Sequence, residues 1–332
     1  GVGGDAPEPA VQRGAGGAVA ALGVRAPAQR RARLGRTFMM RPETMIRHPL
    51  FRAGLLALAL APALSTALAA EPAAAAQATA SAVDPALEAV LAGDWRSEAN
   101  RARDRYRHPA QTLAFFGLKP DQTVVEITPG GGWYAEILAP YLREHGRYVA
   151  AVVDPQALPE DRRDYPQRAR AELEALFAGA AAQFDRAAVV AYDPAAPKFG
   201  EPGSADLVVT FRNVHNWRGS GQAHRMFEGF FEVLREGGVL GVVEHRAAAD
   251  VAEEDRSGYV GQGQVIALAE AAGFRLDATS EVNANPADTK DHPNGVWTLF
   301  PVGRHDPADA EKYRAVGESD RMTLRFVKPA RE

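Results

Sequence analysis

The stretch VVEITPGGGWY, Val124–Tyr134, decides the fold. Its first half is apolar and β-branched, and three consecutive glycines follow. Beyond them Trp133, Ile137, Leu138, Tyr141 and Leu142 fall on one stripe of a helix expected over Trp133–His145. The spacing therefore predicts strand, glycine loop, helix. Glycine lets the backbone turn without a Cβ clash, and lets a ligand reach main-chain N–H groups at a helix start. Such a loop lies at the carboxyl end of its strand, where open α/β sheets bind ligands.

The same alternation runs outward in both directions. Arg147–Val153, Ala187–Tyr192, Ala205–Phe211 and Val239–Glu244 read as strands. Pro166–Ala178 and Gln222–Glu236 read as helices between them. The second has Met226, Phe227, Phe230, Phe231 and Leu234 on one face and is closed by Gly237-Gly238. After a helix over Gly263–Ala272, the strands Phe274–Val282 and Met322–Val327 have no helix of their own between them. They are expected to form an antiparallel hairpin at the sheet edge. Upstream, Asp84-Pro85 starts a helix as N-cap and first position, and further helices are expected over Ser97–Tyr106 and Pro109–Phe116. The expectation is an α/β, Rossmann-like, seven-stranded, mostly parallel sheet with helices on both faces.

The N-terminal part is of another kind. Residues 1–44 are rich in Gly, Ala, Pro and Arg without an apolar period, and read as a disordered or spurious extension. Residues 45–69 read as a signal peptide. Arg47, His48 and Arg52 precede the apolar run Ala53–Leu64, and Ala67-Leu68-Ala69 offers a small-x-small cleavage site. Residues 70–83 form an Ala/Thr/Ser linker, and 84–332 the folded domain. An exported, periplasmic protein follows, with a membrane anchor as the alternative if the signal stays uncleaved. Residues 1–69 carry nine Arg and three acids, so their removal takes the net charge from −4 to −10. That balance opposes nucleic-acid binding, which needs clustered cations. The chain has no Cys, which excludes disulfides, thiol catalysis and Cys-ligated zinc, and its eight His show no short metal-ligand spacing. No metal is expected.

Two cofactors fit the glycine loop. Gly130-x-Gly132-x-x-Ala135 matches the relaxed dinucleotide pattern, and Asp154 after the second strand matches its ribose-binding acid, which leaves an NAD-dependent oxidoreductase open. Glu126, inside the first strand, favours the other cofactor. A carboxylate there suits a ligand with a cationic amino-acid end and repels a pyrophosphate.

On Glu126 to Gly132, Asp154, Asp193 after the third strand, and the late strand pair, the chain resembles a class I S-adenosylmethionine-dependent methyltransferase over residues 95–328. More narrowly, Asp104-x-Tyr106-Arg107-His108-Pro109, Thr128–Tyr134, Phe211–Trp217 and Glu244–Ala247 resemble a bacterial family of methyltransferases without a settled substrate. The resemblance implies S-adenosylmethionine as cofactor. Glu126 and the loop Thr128, Pro129, Gly130, Gly131 and Gly132 would then hold its methionine part, Asp154 the ribose and Asp193 the adenine amino group. Thr128 and Pro129 stand where the family's usual loop begins with glycine, which stiffens the turn.

Methyl transfer from a sulfonium mainly requires alignment, and a base only where the acceptor must lose a proton. His215 is the natural base, with His245, beside Glu244, as a second candidate. Asn213 and Asn216 would orient an acceptor, and Trp217 would form a wall. The expected partner is a small-molecule acceptor. A non-catalytic nucleoside-binding module of the same fold is the alternative, because an exported enzyme needs a supply of a cofactor made in the cytoplasm.

Overall fold

The computed structural model describes residues 84–330. The expected extension, signal peptide and linker, residues 1–83, lie outside them. The elements run α1 (Pro85–Leu91), α2 (Glu98–Arg101), α3 (Asp104–Arg107), α4 (Pro109–Phe115), β1 (Thr123–Ile127), α5 (Ala135–Leu142), β2 (Arg147–Val153), α6 (Asp164–Gly179), α7 (Ala181–Phe184) and β3 (Ala188–Tyr192). They continue with β4 (Ala205–Phe211), α8 (Val214–Gly219), α9 (Ala223–Val233), β5 (Leu234–His245), α10 (Gln262–Ala271), β6 (Arg275–Ser280), α11 (Ala310–Val316) and β7 (Arg321–Val327).

The seven strands form one sheet in the order β3-β2-β1-β4-β5-β7-β6. β1 pairs in parallel with β2 and β4, and β7 runs antiparallel to both β5 and β6. This is the expected Rossmann-like architecture. Strand order reverses between β1 and β4, the place where such sheets open a crevice at their carboxyl ends.

Alternation along the strands gives each face its own core. Val124, Tyr148, Val152, Leu207 and Val209 pack under α1, α4 and α5. Val125, Ile127, Val149, Val208, Leu240 and Val242 pack under α8, α9 and α10, where Met226, Phe227 and Phe230 are fully buried. Among the described residues, no helix is long and apolar enough to cross a membrane.

Three expectations change in detail. The single helix expected over Ser97–Tyr106 is two short ones, α2 and α3, and His108 follows α3 at φ 40°. Arg96 holds this segment down. It is 1% exposed, meets Asp104 through both terminal nitrogens at 2.8 and 2.9 Å, and reaches Glu136 of α5 at 3.1 Å. The helix expected to run to Glu236 ends at Val233. Leu234 turns extended (ψ 139°) and pairs with Ala205, while Lys328 Nζ caps the carbonyls of Phe231 and Leu234 at 2.7 Å each. The apolar period carried Leu234 into the helix because it is buried in either state. Finally, β6 and β7 are antiparallel and joined by a long connection as expected, but a helix lies between them where none was expected. This connection carries α11 and returns over the carboxyl rim of the sheet.

Candidate functional site

A cavity of about 650 Å³ opens at the carboxyl ends of β1 and β4, within the usual range for small-molecule sites. Of the expected residues, it gathers Glu126, Thr128, Pro129, Gly130, Asn213, Asn216, Trp217, His215 and His245.

At the end of β1, Thr128 takes φ 53°, a left-handed conformation that normally favours glycine, and its hydroxyl meets Tyr192 Oη at 2.7 Å. Its N–H still bonds Ala151 across the ladder at 2.8 Å. Gly130, at φ 59°, lines the cavity, and a Cβ placed on it would meet nothing within 4 Å. Gly131 and Gly132 do not line it. They face α6, where a Cβ would stand 2.8 Å from Glu172 and 2.7 Å from Leu176. The triglycine thus divides between the cavity wall and close helix packing.

Glu126 is 2% exposed, with one carboxylate oxygen accepting from Tyr148 Oη at 2.7 Å. Burial pushes its carboxyl up to about 7, against the opposing pull of Tyr148 and Arg212. Asp154 and Asp193 lie beside lining residues but are not on the wall. Each accepts from the backbone N–H two residues on, Gln156 at 2.9 Å and Ala195 at 2.8 Å, as a turn-forming carboxylate does.

The other end is built on β4, β5 and β7. Asn213 donates its side-chain amide to the carbonyl of Ile127 and the hydroxyl of Thr210, both at 3.1 Å, which ties the tips of β1 and β4 together. Glu244, fully buried at the end of β5, accepts from His215 Nδ1 at 3.0 Å and from the N–H groups of His215 (3.2 Å) and His245 (2.7 Å). A carboxylate on Nδ1 fixes the proton there and leaves Nε2 as the basic nitrogen. His245 Nδ1 meets Ser319 Oγ at 2.5 Å. Burial, then His215 and the guanidinium groups of Arg212, Arg321 and Arg107, push the His245 imidazole well below its usual pKa and keep it neutral.

The fold also brings His215, Glu244 and His245 close enough for one ligand atom of each to lie within 4.8 Å of the others. Sequence spacing did not show this grouping, which the β4 and β5 tips create. The nearby arginines oppose a divalent cation there.

Sequence reasoning missed the charged layer behind this wall. Glu318 and Ser319, in the strip before β7, line the cavity with Arg212. Glu318, Ser319, Asp320 and Arg321 are each 3% exposed. In sequence they are a polar run leading into an apolar strand, a pattern that by itself points to solvent. The segment Asn285–Lys290, in the connection between β6 and β7, is pinned: Asp288 is 2% exposed and accepts from Tyr259 Oη at 2.8 Å and from the N–H of Asp320 at 2.8 Å. The segment that does reach the cavity is Val296–Val302, with Trp297, Phe300 and Val302 on the wall.

The fold is a Rossmann-like, mostly parallel seven-stranded sheet with an antiparallel C-terminal pair. Neither a family model nor a curated protein matches the chain by sequence. Similar solved structures include an S-adenosylmethionine-dependent methyltransferase from Aquifex aeolicus, 17% identical, covering 68% of this chain and 93% of that one, with a TM-score of 0.44. The cyclase SpnF is 17% identical over 74% of this chain and 93% of its own, with a TM-score of 0.48. A geranyl diphosphate methyltransferase in complex with S-adenosylmethionine is 13% identical over 74% and 95%, with a TM-score of 0.45. Likeness at this level concerns the fold alone, and a reaction follows from the site.

Proposed function

We propose that this chain is an S-adenosylmethionine-dependent methyltransferase acting on a small molecule, with His215 as general base. One observation carries the reading: a single cavity joins the glycine cradle at the tip of β1 to a histidine held by a buried carboxylate at the tips of β4 and β5.

The residues at the cradle suit this cofactor. Gly130 lines the cavity with open space beside it, which leaves room for a ligand. Glu126, which accepts from Tyr148 Oη through one carboxylate oxygen, suits an ammonium group. Tyr192, Val153 and Pro194 provide apolar wall next to the turns of Asp154 and Asp193. When bound, the cofactor supplies a methyl group on a sulfonium.

The chain's own residues do the rest. Glu244 orients His215 and stabilises its imidazolium once Nε2 has taken the acceptor's proton. Ser319 orients His245, which stays neutral and acts as a hydrogen-bonding wall. Trp217 and Trp297 exclude water. The signal peptide read over residues 45–69 makes the periplasm the proposed compartment.

Calorimetry of S-adenosylhomocysteine with the full chain tests the cofactor. Asp154→Ala should weaken binding by roughly 10- to 150-fold, the loss of about 1.5–3 kcal/mol of charge-assisted hydrogen bonding. His215→Asn should leave that affinity intact and slow transfer of labelled methyl to a cell extract by about 10²–10⁴-fold. No binding by the wild type would reject the reading.

A further inference from the structure

We propose that the arginine end of the cavity is an oxyanion site, and that the methyl acceptor is an anion bearing a carboxylate or phosphate group. This rests on the methyltransferase reading for the word acceptor, but not for the site.

Four guanidinium groups converge on Glu318. Arg103 reaches it at 2.7 Å, Arg321 at 3.0 Å, Arg107 at 3.3 Å and Arg212 at 3.9 Å. Three of these partners, Arg107, Arg321 and Glu318, are 2–3% exposed. One carboxylate cannot neutralise four cations, and the shortage shows in the bonding. Arg107 Nη1 and Arg103 Nη2 are buried without any hydrogen-bond partner. Arg212, the member that lines the cavity, makes no side-chain hydrogen bond among the described residues, and its backbone sits at φ 63°. A left-handed φ is unfavourable for a residue with a Cβ. Uncompensated buried cations are strongly unfavourable, so this end of the cavity is arranged for a negative charge that the protein itself does not provide.

The other groups facing it do not close the balance. Glu244 is engaged by His215 and two backbone N–H groups, and burial pushes Glu126 up to about 7. Even with both ionised, four arginines face three carboxylates. His245 is neutral, and Arg162 adds a further cation to the lining. The proposed cofactor makes the imbalance larger, because one carboxylate, one ammonium and one sulfonium sum to a net positive charge. The missing negative charge falls to the second substrate. An oxyanion on Arg212 would set the acceptor between a cationic clamp and a sulfonium, with His215 Nε2 beside it to take a proton. The planar fork of arginine suits both carboxylate and phosphate.

The test uses the full chain saturated with S-adenosylhomocysteine, at constant ionic strength because exposed charges are screened. Acetate, benzoate, inorganic phosphate and phenyl phosphate are titrated by calorimetry, with benzamide and benzyl alcohol as neutral counterparts. At least one oxyanion should bind about tenfold or more tightly than its neutral counterpart. Arg212→Gln should abolish that preference, while Arg212→Lys, which keeps the charge acting on Glu126, should retain part of it with S-adenosylhomocysteine affinity unchanged. Equal binding of neutral and anionic probes, or no binding of any oxyanion, overturns the proposal. So does a second pattern, in which the charge-retaining Arg212→Lys weakens S-adenosylhomocysteine but not 5′-methylthioadenosine, which lacks the amino-acid end. The arginines would then serve the cofactor's own carboxylate. If the wild type fails to bind S-adenosylhomocysteine yet prefers oxyanions without it, the methyltransferase reading falls and the oxyanion site stands.

Discussion

The glycine-loop end of the cavity and its arginine end differ in how far apart their residues stand in the chain. At the loop end, Glu126, Thr128, Pro129 and Gly130 come from one strand and its turn, and their side-chain hydrogen-bond partners Tyr148, Tyr192 and Asn213 are 22, 64 and 85 residues away. At the arginine end, Arg103 and Arg107 meet Glu318 across 215 and 211 residues. The first is local chemistry held by a backbone turn. The second exists only after β7 has been inserted between β5 and β6, and it concentrates charge that neither chain segment would tolerate alone. Loop-end function should therefore respond to backbone geometry, and arginine-end stability to loss of a charge.

The largest effect should come from Glu318. Its carboxyl is held down at about 2 by Arg107, Arg321, Arg212 and Arg103, which outweigh the opposing effect of burial. Removing one partner of a buried ion pair typically destabilises by about 3–5 kcal/mol, since the other charge is left uncompensated. Glu318→Ala strips the carboxylate from several cations at once and should lose at least that much, read as a lower urea midpoint. For the wild type, a folded pKa below the unfolded one means that this stability is present above pH 4.5 and lost as pH falls toward 2. If Glu318→Ala unfolds at the wild-type midpoint, the arginine end is not a structural charge cluster and the contrast with the loop end fails.

A somewhat smaller effect, opposite in sign, should come from Glu126. Its folded pKa, about 7, lies above the usual carboxylate value of 4.5. Between those values the native state holds a proton that the unfolded chain has released, so stability declines as pH rises from 4.5 through 7, by about 3 kcal/mol. Cofactor binding should move the other way if Glu126 pairs with an ammonium, strengthening as the carboxylate ionises. Urea unfolding and S-adenosylhomocysteine calorimetry at pH 6 and 8 would show both trends. Glu126→Gln should flatten both. A wild-type affinity that does not change across this range would separate Glu126 from the ligand.

The same contrast explains what the sequence made legible. The strand–turn–helix of Val124–Tyr134 is a local pattern, and β2 and β4 fall on the residues that alternation marks. Asn213, His215 and His245 were recognisable because each follows an apolar strand at the rim that binds ligands. The roles of Gly131 and Gly132 were not, because a glycine run does not say which Cα faces a cavity and which faces a helix. The Glu318 cluster was hidden for a plainer reason. A charged strip such as Glu318–Arg321 usually marks solvent, and only tertiary packing turns it inward. Leu234 shows the corresponding ambiguity among apolar residues, since one buried leucine satisfies a helix period and a strand end equally.

The smallest effect divides the loop end itself. Gly130 and Gly132 both have positive φ, 59° and 92°, so alanine is strained at either, by roughly 1 kcal/mol. Their surroundings differ. A Cβ on Gly132 would stand 2.7 Å from Leu176 Cδ2 and 2.9 Å from Leu173 Cδ1, so α6 must shift its side chains. A Cβ on Gly130, a residue of the cavity wall, meets no protein atom within 4 Å. Gly132→Ala should therefore lose about 1–2 kcal/mol of stability, with overpacking added to strain, and keep most of its affinity for S-adenosylhomocysteine. Gly130→Ala should unfold nearer the wild-type midpoint and bind the ligand more weakly than Gly132→Ala. Urea unfolding and calorimetry on the two variants give a crossed pattern if glycines two positions apart serve packing and ligand separately. Parallel losses in both measurements would mean that the turn acts as one unit, and that its geometry rather than the open space beside Gly130 controls binding.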